Sequence, residues 1–289
     1  MMGGASLNSN QFHVVGAMQT AVGCVRTSNE DAVAFVIPSQ DDPSAERVCL
    51  GLVADGMGGH AAGEVASALA VEVVRQAFFS LQGPVPQSLM RAFQTANRAI
   101  FEHARSHPEC QGMGTTCTAL VIHDGQLWLA HVGDSRAYLL RRGKLAQLTE
   151  DHTLHAQMIR EGMMNEDEAR TAEGGNVILK ALGTALDIAP DVWEKGLRLL
   201  EDDTLLLCSD GLWNLVDDAR IAEGLASRDP HEACQRLIDA ALEAGGYDNI
   251  SVGIFAVRPQ NGRAAEPQKS TRRIKIAKVE ASEKAPRPA

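Results

Sequence analysis

The amino-acid sequence predicts an α+β fold in which sheets and helices stack in layers. Two β-hairpin signals follow one another between residues 118 and 148, two amphipathic helical patterns stand side by side before them, and no regular βαβ alternation runs through the chain. Arg47–Ala54 (RVCLGLVA) is a short apolar run that ends in Asp55-Gly56 and reads as a buried strand. Val65, Leu69, Val73 and Ala77 recur at four-residue steps, which predicts an amphipathic helix through about Phe79. Gly83-Pro84-Val85-Pro86 breaks it, and Leu89, Phe93, Ala96 and Ile100 mark a second helix. Thr118–His123 and Gln126–Val132 then flank the turn pair Asp124-Gly125, while Arg136–Leu140 and Lys144–Leu148 flank Arg141-Arg142-Gly143. Residues 152–176 are polar, Met-rich and punctuated by glycine. They read as a lid-like insertion with one helix near Leu154–Glu161, padded by Met158, Met163 and Met164. Thr204–Cys208 is a strand, His231–Ala244 a helix rich in Ala and Leu, and Ile250–Val257 a strand apolar on both faces, hence one covered on both sides.

The 289 residues suffice for one large core, and no linker or repeat divides the body, so a single domain over 12–258 is expected. Residues 1–11 are expected to be a flexible N-terminus. Residues 259–289 hold eight Lys/Arg against three acids, a net charge of +5, which leaves −15 on the remainder of a chain whose total is −10. With few large apolar side chains, that basic tail is expected to be disordered. A net charge of −10 speaks against a protein that coats nucleic acid. No apolar run approaches the roughly 18 residues of a membrane span. The first basic residue is Arg26, so the start lacks the charged region of a secretory signal. Six scattered cysteines without a CxxC pair argue against zinc and for reduced thiols, and a cytoplasmic location is expected.

The carboxylates fall in one kind of place. Asp55 ends an apolar strand before Gly56, Asp134 follows the strand 126–132, Asp210 follows 204–208, Asp248 precedes the last strand, and Glu30 and Asp31 precede the apolar stretch Ala32–Ile37. Acids at the ends of core strands, beside glycines that let the backbone come close, are placed to converge at one rim. Converging carboxylates repel unless neutralised, and an all-oxygen donor set suits hard divalent cations, Mg²⁺ or Mn²⁺. Any one of these acids alone is more simply a turn or cap residue. Spacing alone thus points to a di-metal site of unspecified chemistry.

Taken in order, Arg26-Thr27-Ser28-Asn29-Glu30-Asp31, Asp55-Gly56-Met57-Gly58-Gly59-His60, Gly114-Thr115-Thr116, Gly133-Asp134-Ser135-Arg136, Asp151-His152, Ser209-Asp210-Gly211 and Asp248-Asn249 resemble the motif set of the metal-dependent PP2C-type protein serine/threonine phosphatases, the bacterial branch in particular. The resemblance covers residues 12–257. It implies a central sandwich of two antiparallel sheets flanked by helices, with the metal site at one end. It implies Asp55 as the carboxylate bridging two metals, the Gly56 carbonyl and Glu30 on one of them, and Asp210 and Asp248 on the other. Asp134, with Asp210, would hold a weaker third ion. Arg26 is implied as the phosphate clamp, its planar fork of donors matching phosphate oxygens. Asp31, Thr115, His152 and Asn249 are implied as supports, with Asp151-His152 stabilising the fold.

The reaction implied is hydrolysis of phosphoserine and phosphothreonine in proteins by in-line attack of a metal-activated hydroxide at a Mn²⁺ or Mg²⁺ di-metal centre, without a phosphoenzyme. The implied partners are phosphoprotein substrates and an opposing serine/threonine kinase, with the chain a monomer. Rival possibilities are a catalytically weak phosphoprotein binder, or a phosphatase for small phosphate esters. One departure stands out: Met57 occupies the position where eukaryotic members carry a proposed histidine general acid. His60, three residues on, is expected to pack or cap a helix start, so His60→Ala should keep most of kcat.

Overall fold

Strands that are apolar on one or both faces need covering layers, and this chain supplies them by stacking two sheets between helices. The computed structural model describes residues 12–37, 48–58, 62–165, 168–169 and 177–259. In chain order, β1 (Phe12–Ala21), β2 (Asp31–Val36) and β3 (Val48–Met57) precede the long helices α1 (Ala62–Ser80) and α2 (Val85–Ser106). Then come β4 (Gly114–Thr115), β5 (Cys117–His123), β6 (Gln126–Val132), β7 (Arg136–Arg141), β8 (Lys144–Gln147) and α3 (Leu154–Arg160). After β9 (Asp191–Val192), β10 (Leu197–Arg198) and β11 (Thr204–Cys208), the chain forms α4 (Asp210–Trp213), α5 (Asp218–Gly224) and α6 (Pro230–Glu243), and closes the sheet with β12 (Ile250–Pro259).

One sheet runs β1-β12-β11-β7-β8, the other β10-β6-β5-β3-β2 with β4 and β9 at its margins, and every pairing is antiparallel. Between the sheets, Cys49, Val53, Leu120, Ile122, Leu127 and Leu129 meet Ala137, Leu139, Leu205, Leu207, Phe255 and Val257 in one buried cluster. The outer face of the β3-containing sheet is covered by α1 and α2, through Ala66, Ala70, Val74, Leu89, Phe93 and Ile100. The outer face of the other is covered by α5 and α6, through Ile221, Ala233, Leu237 and Ala241. The expected α+β sandwich of two antiparallel sheets flanked by helices is the architecture found.

The residues Ile250–Val257 of β12 are buried throughout, as the doubly apolar pattern predicts, and the strand runs on to Pro259. The expected apolar stripe of α1 is shifted by one residue. Ala66, Ala70, Val74 and Phe78 are buried, whereas Val65, Leu69, Val73 and Ala77 only flank the core. The helix packs against both the sheet and α2, so its covered arc is wider than one stripe and small alanines can occupy its centre. Met163 is 66% exposed and so does not pad the insertion. Residues 1–11, the tail beyond Pro259, and parts of the insertion lie outside the described residues. Among the described residues, no helix is long and apolar enough to cross a membrane.

Candidate active site

Antiparallel pairing brings the acid-bearing strand ends to one edge of the sandwich. Asp31, first in β2, is the register partner of Asp55 near the end of β3. In the other sheet Cys208 at the end of β11 pairs with both Arg136 and Val252, which puts Asp210 beside the start of β7 and the start of β12. Gly133–Ser135 crosses from one sheet to the other at this same edge, and so does the loop from β1 to β2 that carries Arg26 and Glu30.

The backbone of Asp55 is held from two sides. Its N–H donates to Thr116 Oγ1 at 2.9 Å, and its carbonyl accepts from Thr115 Oγ1 and from the Thr116 N–H, each at 2.9 Å. The Thr116 hydroxyl is also 2.7 Å from Ser135 Oγ, linking Asp55 to the turn of Asp134. Asn249 fastens the Arg26–Glu30 loop. Its Oδ1 accepts from the Glu30 N–H at 2.7 Å, and its Nδ2 donates to the carbonyls of Val22 (2.9 Å) and Ser28 (2.8 Å). Asp31 accepts from Ser209 Oγ at 2.7 Å, and Ser209 Oγ in turn accepts from the Ser251 N–H.

Close backbone approach sets the remaining positions. A Cβ on Gly211 would fall 2.1 Å from the Asn249 carbonyl oxygen, so only glycine lets the Asp210 turn close on the Asp248 loop. A Cβ on Gly56 would meet the Gly63 carbonyl oxygen at 2.0 Å, and one on Gly63 would lie 2.6 Å from Glu30 Oε2. Glu30 is thereby set against the first turn of α1. Arg26 Nη2 donates to Asp248 Oδ2 at 2.7 Å.

The carboxyl groups act on one another. Burial pushes Asp55 well above the usual carboxylate range, and the charges of Asp31, Asp210, Asp134 and Asp248 push it further. Burial, then Asp210 and Asp151, lift Asp134 to about 7. Burial lifts Asp31 to about 7 against hydrogen bonds from Ser251 and Ser209. Asp210 is raised by burial and by the charge of Asp248, and the neighbouring Asp55 carboxyl and Arg26 partly offset that rise. Burial raises Glu30 as well, against the pull of Arg26.

Among the described residues, the buried side-chain polar atoms without a hydrogen-bond partner are Asp31 Oδ1, Asp210 Oδ1 and His131 Nε2. Two of the three lie in this cluster, an all-oxygen set that suits a hard divalent cation. No three His, Cys, Asp or Glu side chains among the described residues close into a ready-made ion cage. The fit rests instead on the donor chemistry, the mutual repulsion and the unpartnered oxygens.

Asp151 and His152 do not pair with each other. Asp151 takes a two-pronged ion pair from Arg136, whereas His152 Nδ1 accepts from the Gly133 N–H at 3.0 Å and its Nε2 lies 3.1 Å from Asp191 Oδ2. Met57 ends β3 opposite Gly114. His60 lies outside the described residues. Sequence reading gave no role to Ser135, Ser209, Ser251 or Trp213. The first two stand inside the motifs, next to the acids they support, but Ser251 and Trp213 carry no local signal.

The protein phosphatase 2C family model matches residues 25–243, which includes every acid of the cluster except Asp248. The chain belongs to the protein phosphatase 2C family. Serine/threonine protein phosphatase PstP of Mycobacterium tuberculosis is 38% identical over 236 residues, 81% of this chain and 43% of the relative. This chain therefore spans less than half of that protein. Serine/threonine phosphatase stp of Listeria innocua is 36% identical over 240 residues, 81% of this chain and 92% of the relative. Among solved structures, the catalytic domain of PstP in complex with two manganese ions superposes with a TM-score of 0.74 at 36% identity, covering 86% of this chain and 99% of that one. In this 2C-family chain the strand ends that gather the carboxylates are thus part of a shared fold.

Proposed function

We propose that this chain hydrolyses phosphoserine and phosphothreonine in proteins, using Mn²⁺ or Mg²⁺ held by the carboxylates at the edge of the sandwich. The observation that carries this is the convergence of Asp55, Asp210 and Asp248, from segments far apart in the sequence, beside Arg26. Asp55 would lie between two ions, with the Gly56 carbonyl and Glu30 serving one and Asp210 and Asp248 the other, while Asp134 and Asp210 would share a weaker third. When bound, such ions supply Lewis acidity and bring the pKa of an attacking water toward neutrality. Arg26 presents its guanidinium to the phosphate oxygens and orients the phosphorus for in-line displacement. Asp31, Thr115, His152 and Asn249 hold the ligands' backbone in place. Met57 has no proton to give, so the leaving serine or threonine oxygen takes its proton from elsewhere in the site.

Manganese is supported by the PstP complex, and phosphoprotein substrates by the names of the relatives. The catalytic unit is residues 12–258 with the basic segment 259–289 appended. It acts as a cytoplasmic monomer in signalling, opposite a serine/threonine kinase. Phosphate release from a phosphothreonine peptide tests the function. Release should stop in EDTA and return with Mn²⁺, and Asp210→Asn should lower kcat by about 100-fold or more, a loss of about 2.7 kcal/mol. A mutant rate near wild type would reject the ligand set, and faster turnover of sugar phosphates would move the substrate class to small esters.

A further inference from the structure

Trp213 ends the single helical turn that Asp210 begins. Its indole N–H donates to the backbone carbonyl of Asp134 at 3.0 Å, a bond between segments 79 residues apart. The guanidinium of Arg136 lies 3.6 Å from the centroid of the indole ring. Arg136 is itself fixed by Asp151, at 2.6 Å through Nη2, and by Tyr138 Oη at 3.0 Å. On the other side of Asp134, the Gly133 N–H and carbonyl bond to His152 Nδ1 and the His152 N–H.

The Asp134 peptide is therefore gripped from both flanks, and the indole is what ties it to the turn bearing Asp210. When ionised, the two carboxylates carry like charge and repel across the contact that the indole makes. Repulsion of this kind drives them apart unless the backbone beneath them is tethered. We propose that Trp213 is the positioning residue that sets the spacing of Asp134 and Asp210, and through it the affinity of the most weakly held divalent cation. This rests on the assignment of Asp134 and Asp210 as a shared ligand pair. Partners that orient ligands from behind are worth about 10–100-fold in metal affinity.

The test is calorimetric titration of the metal-stripped full chain with Mn²⁺, for wild type, Trp213→Phe and Asp134→Asn, with melting curves in EDTA. Phenylalanine keeps a flat face for Arg136 and removes the N–H together with one of the two fused rings, a packing loss that the melting curves report. Trp213→Phe should weaken the weakest ion about 10–100-fold, leave the two tighter ions within about threefold, and melt within a few degrees of wild type. An unchanged weakest ion, or an equal loss at all ions, would overturn the proposal. Asp134→Asn separates the two levels. If it too leaves every ion at wild-type affinity, the ligand pair is wrong and the role of Trp213 falls with it. If it abolishes the weakest ion while Trp213→Phe does not, only the role of Trp213 falls. Should Trp213→Phe lose its fold, Arg136→Lys, which withdraws the guanidinium plane from the indole, should weaken the same ion, and failure to do so would equally count against the proposal.

Discussion

Arg26 and Asp248, 222 residues apart in the sequence, meet in a 2.7 Å ion pair at the edge of the sandwich. The arginine side chain is half exposed, so the pair contributes at most about 1 kcal/mol to stability. Its consequence is directional, because it fixes the half-exposed guanidinium beside Asp248, where the proposed function gives it the phosphate to bind. Arg26→Lys keeps the charge and loses the planar fork. It should reduce kcat/KM for a phosphothreonine peptide by about 100-fold, roughly 2.7 kcal/mol, at saturating Mn²⁺, with the melting temperature unchanged. A lysine variant within threefold of wild type would take Arg26 out of phosphate binding.

Asn249 is 4% exposed and makes three hydrogen bonds to the loop that carries Arg26 and Glu30. Asn249→Ala leaves the Glu30 N–H and two carbonyls without that partner. The expected cost is about 2–4 kcal/mol, read from the shift in the denaturant unfolding midpoint. A loss under about 0.5 kcal/mol would mean the loop is held by other contacts.

The carboxylate cluster links stability to pH and to metal. Asp31 and Asp134 each titrate near 7 in the folded chain, above their ordinary value of 3.8. Between those values the folded state binds more protons than the unfolded one. Stability from these groups is therefore full below about 4 and is lost as pH rises through 7. Bound cations hold the same carboxylates ionised and remove that loss. The gap in melting temperature between Mn²⁺-loaded and EDTA-treated protein should widen from pH 5 to pH 7 and level off above it. A gap independent of pH would contradict the cluster's mutual repulsion.

His131 has the opposite sign. It is buried between Thr118 and the stacked ring of His152, and burial, with the neighbouring His152, lowers its pKa to about 3. Below 6.5 the unfolded chain takes up a proton that the folded one refuses, so stability falls as pH drops from 6.5 toward 3. Between pH 6.5 and 5 this one group should cost about 2 kcal/mol. His131→Gln should lose correspondingly less stability over that interval in urea unfolding, and parallel curves for the two proteins would refute the assignment.

Much of this protein could be read from local pattern. The helix α2, both hairpins, β11 and the covered strand β12 follow from residue periodicity and turn chemistry, which act over a few neighbours. The acids Asp55, Asp134, Asp210 and Asp248 stand beside glycines and strand ends, and their grouping suggested a metal site before any strand was paired. Where local pattern failed, distant partners decided. β1 mixes Gly16, Ala17 and Gln19 with its apolar residues, and becomes a strand by pairing along its whole length with β12. The buried face of α1 was chosen by two packing layers at once, which one stripe of sequence cannot encode.

By itself, the sequence determined the kinds of element, the identity of the acids and the glycines beside them. Only the tertiary structure decided that Arg26 pairs with Asp248, that Ser209 supports Asp31 and that Trp213 reaches Asp134. Each of those contacts joins segments separated by 79 to 222 residues. Periodicity and capping act within one element, whereas contacts of this kind exist only once sheet register has brought the strand ends together.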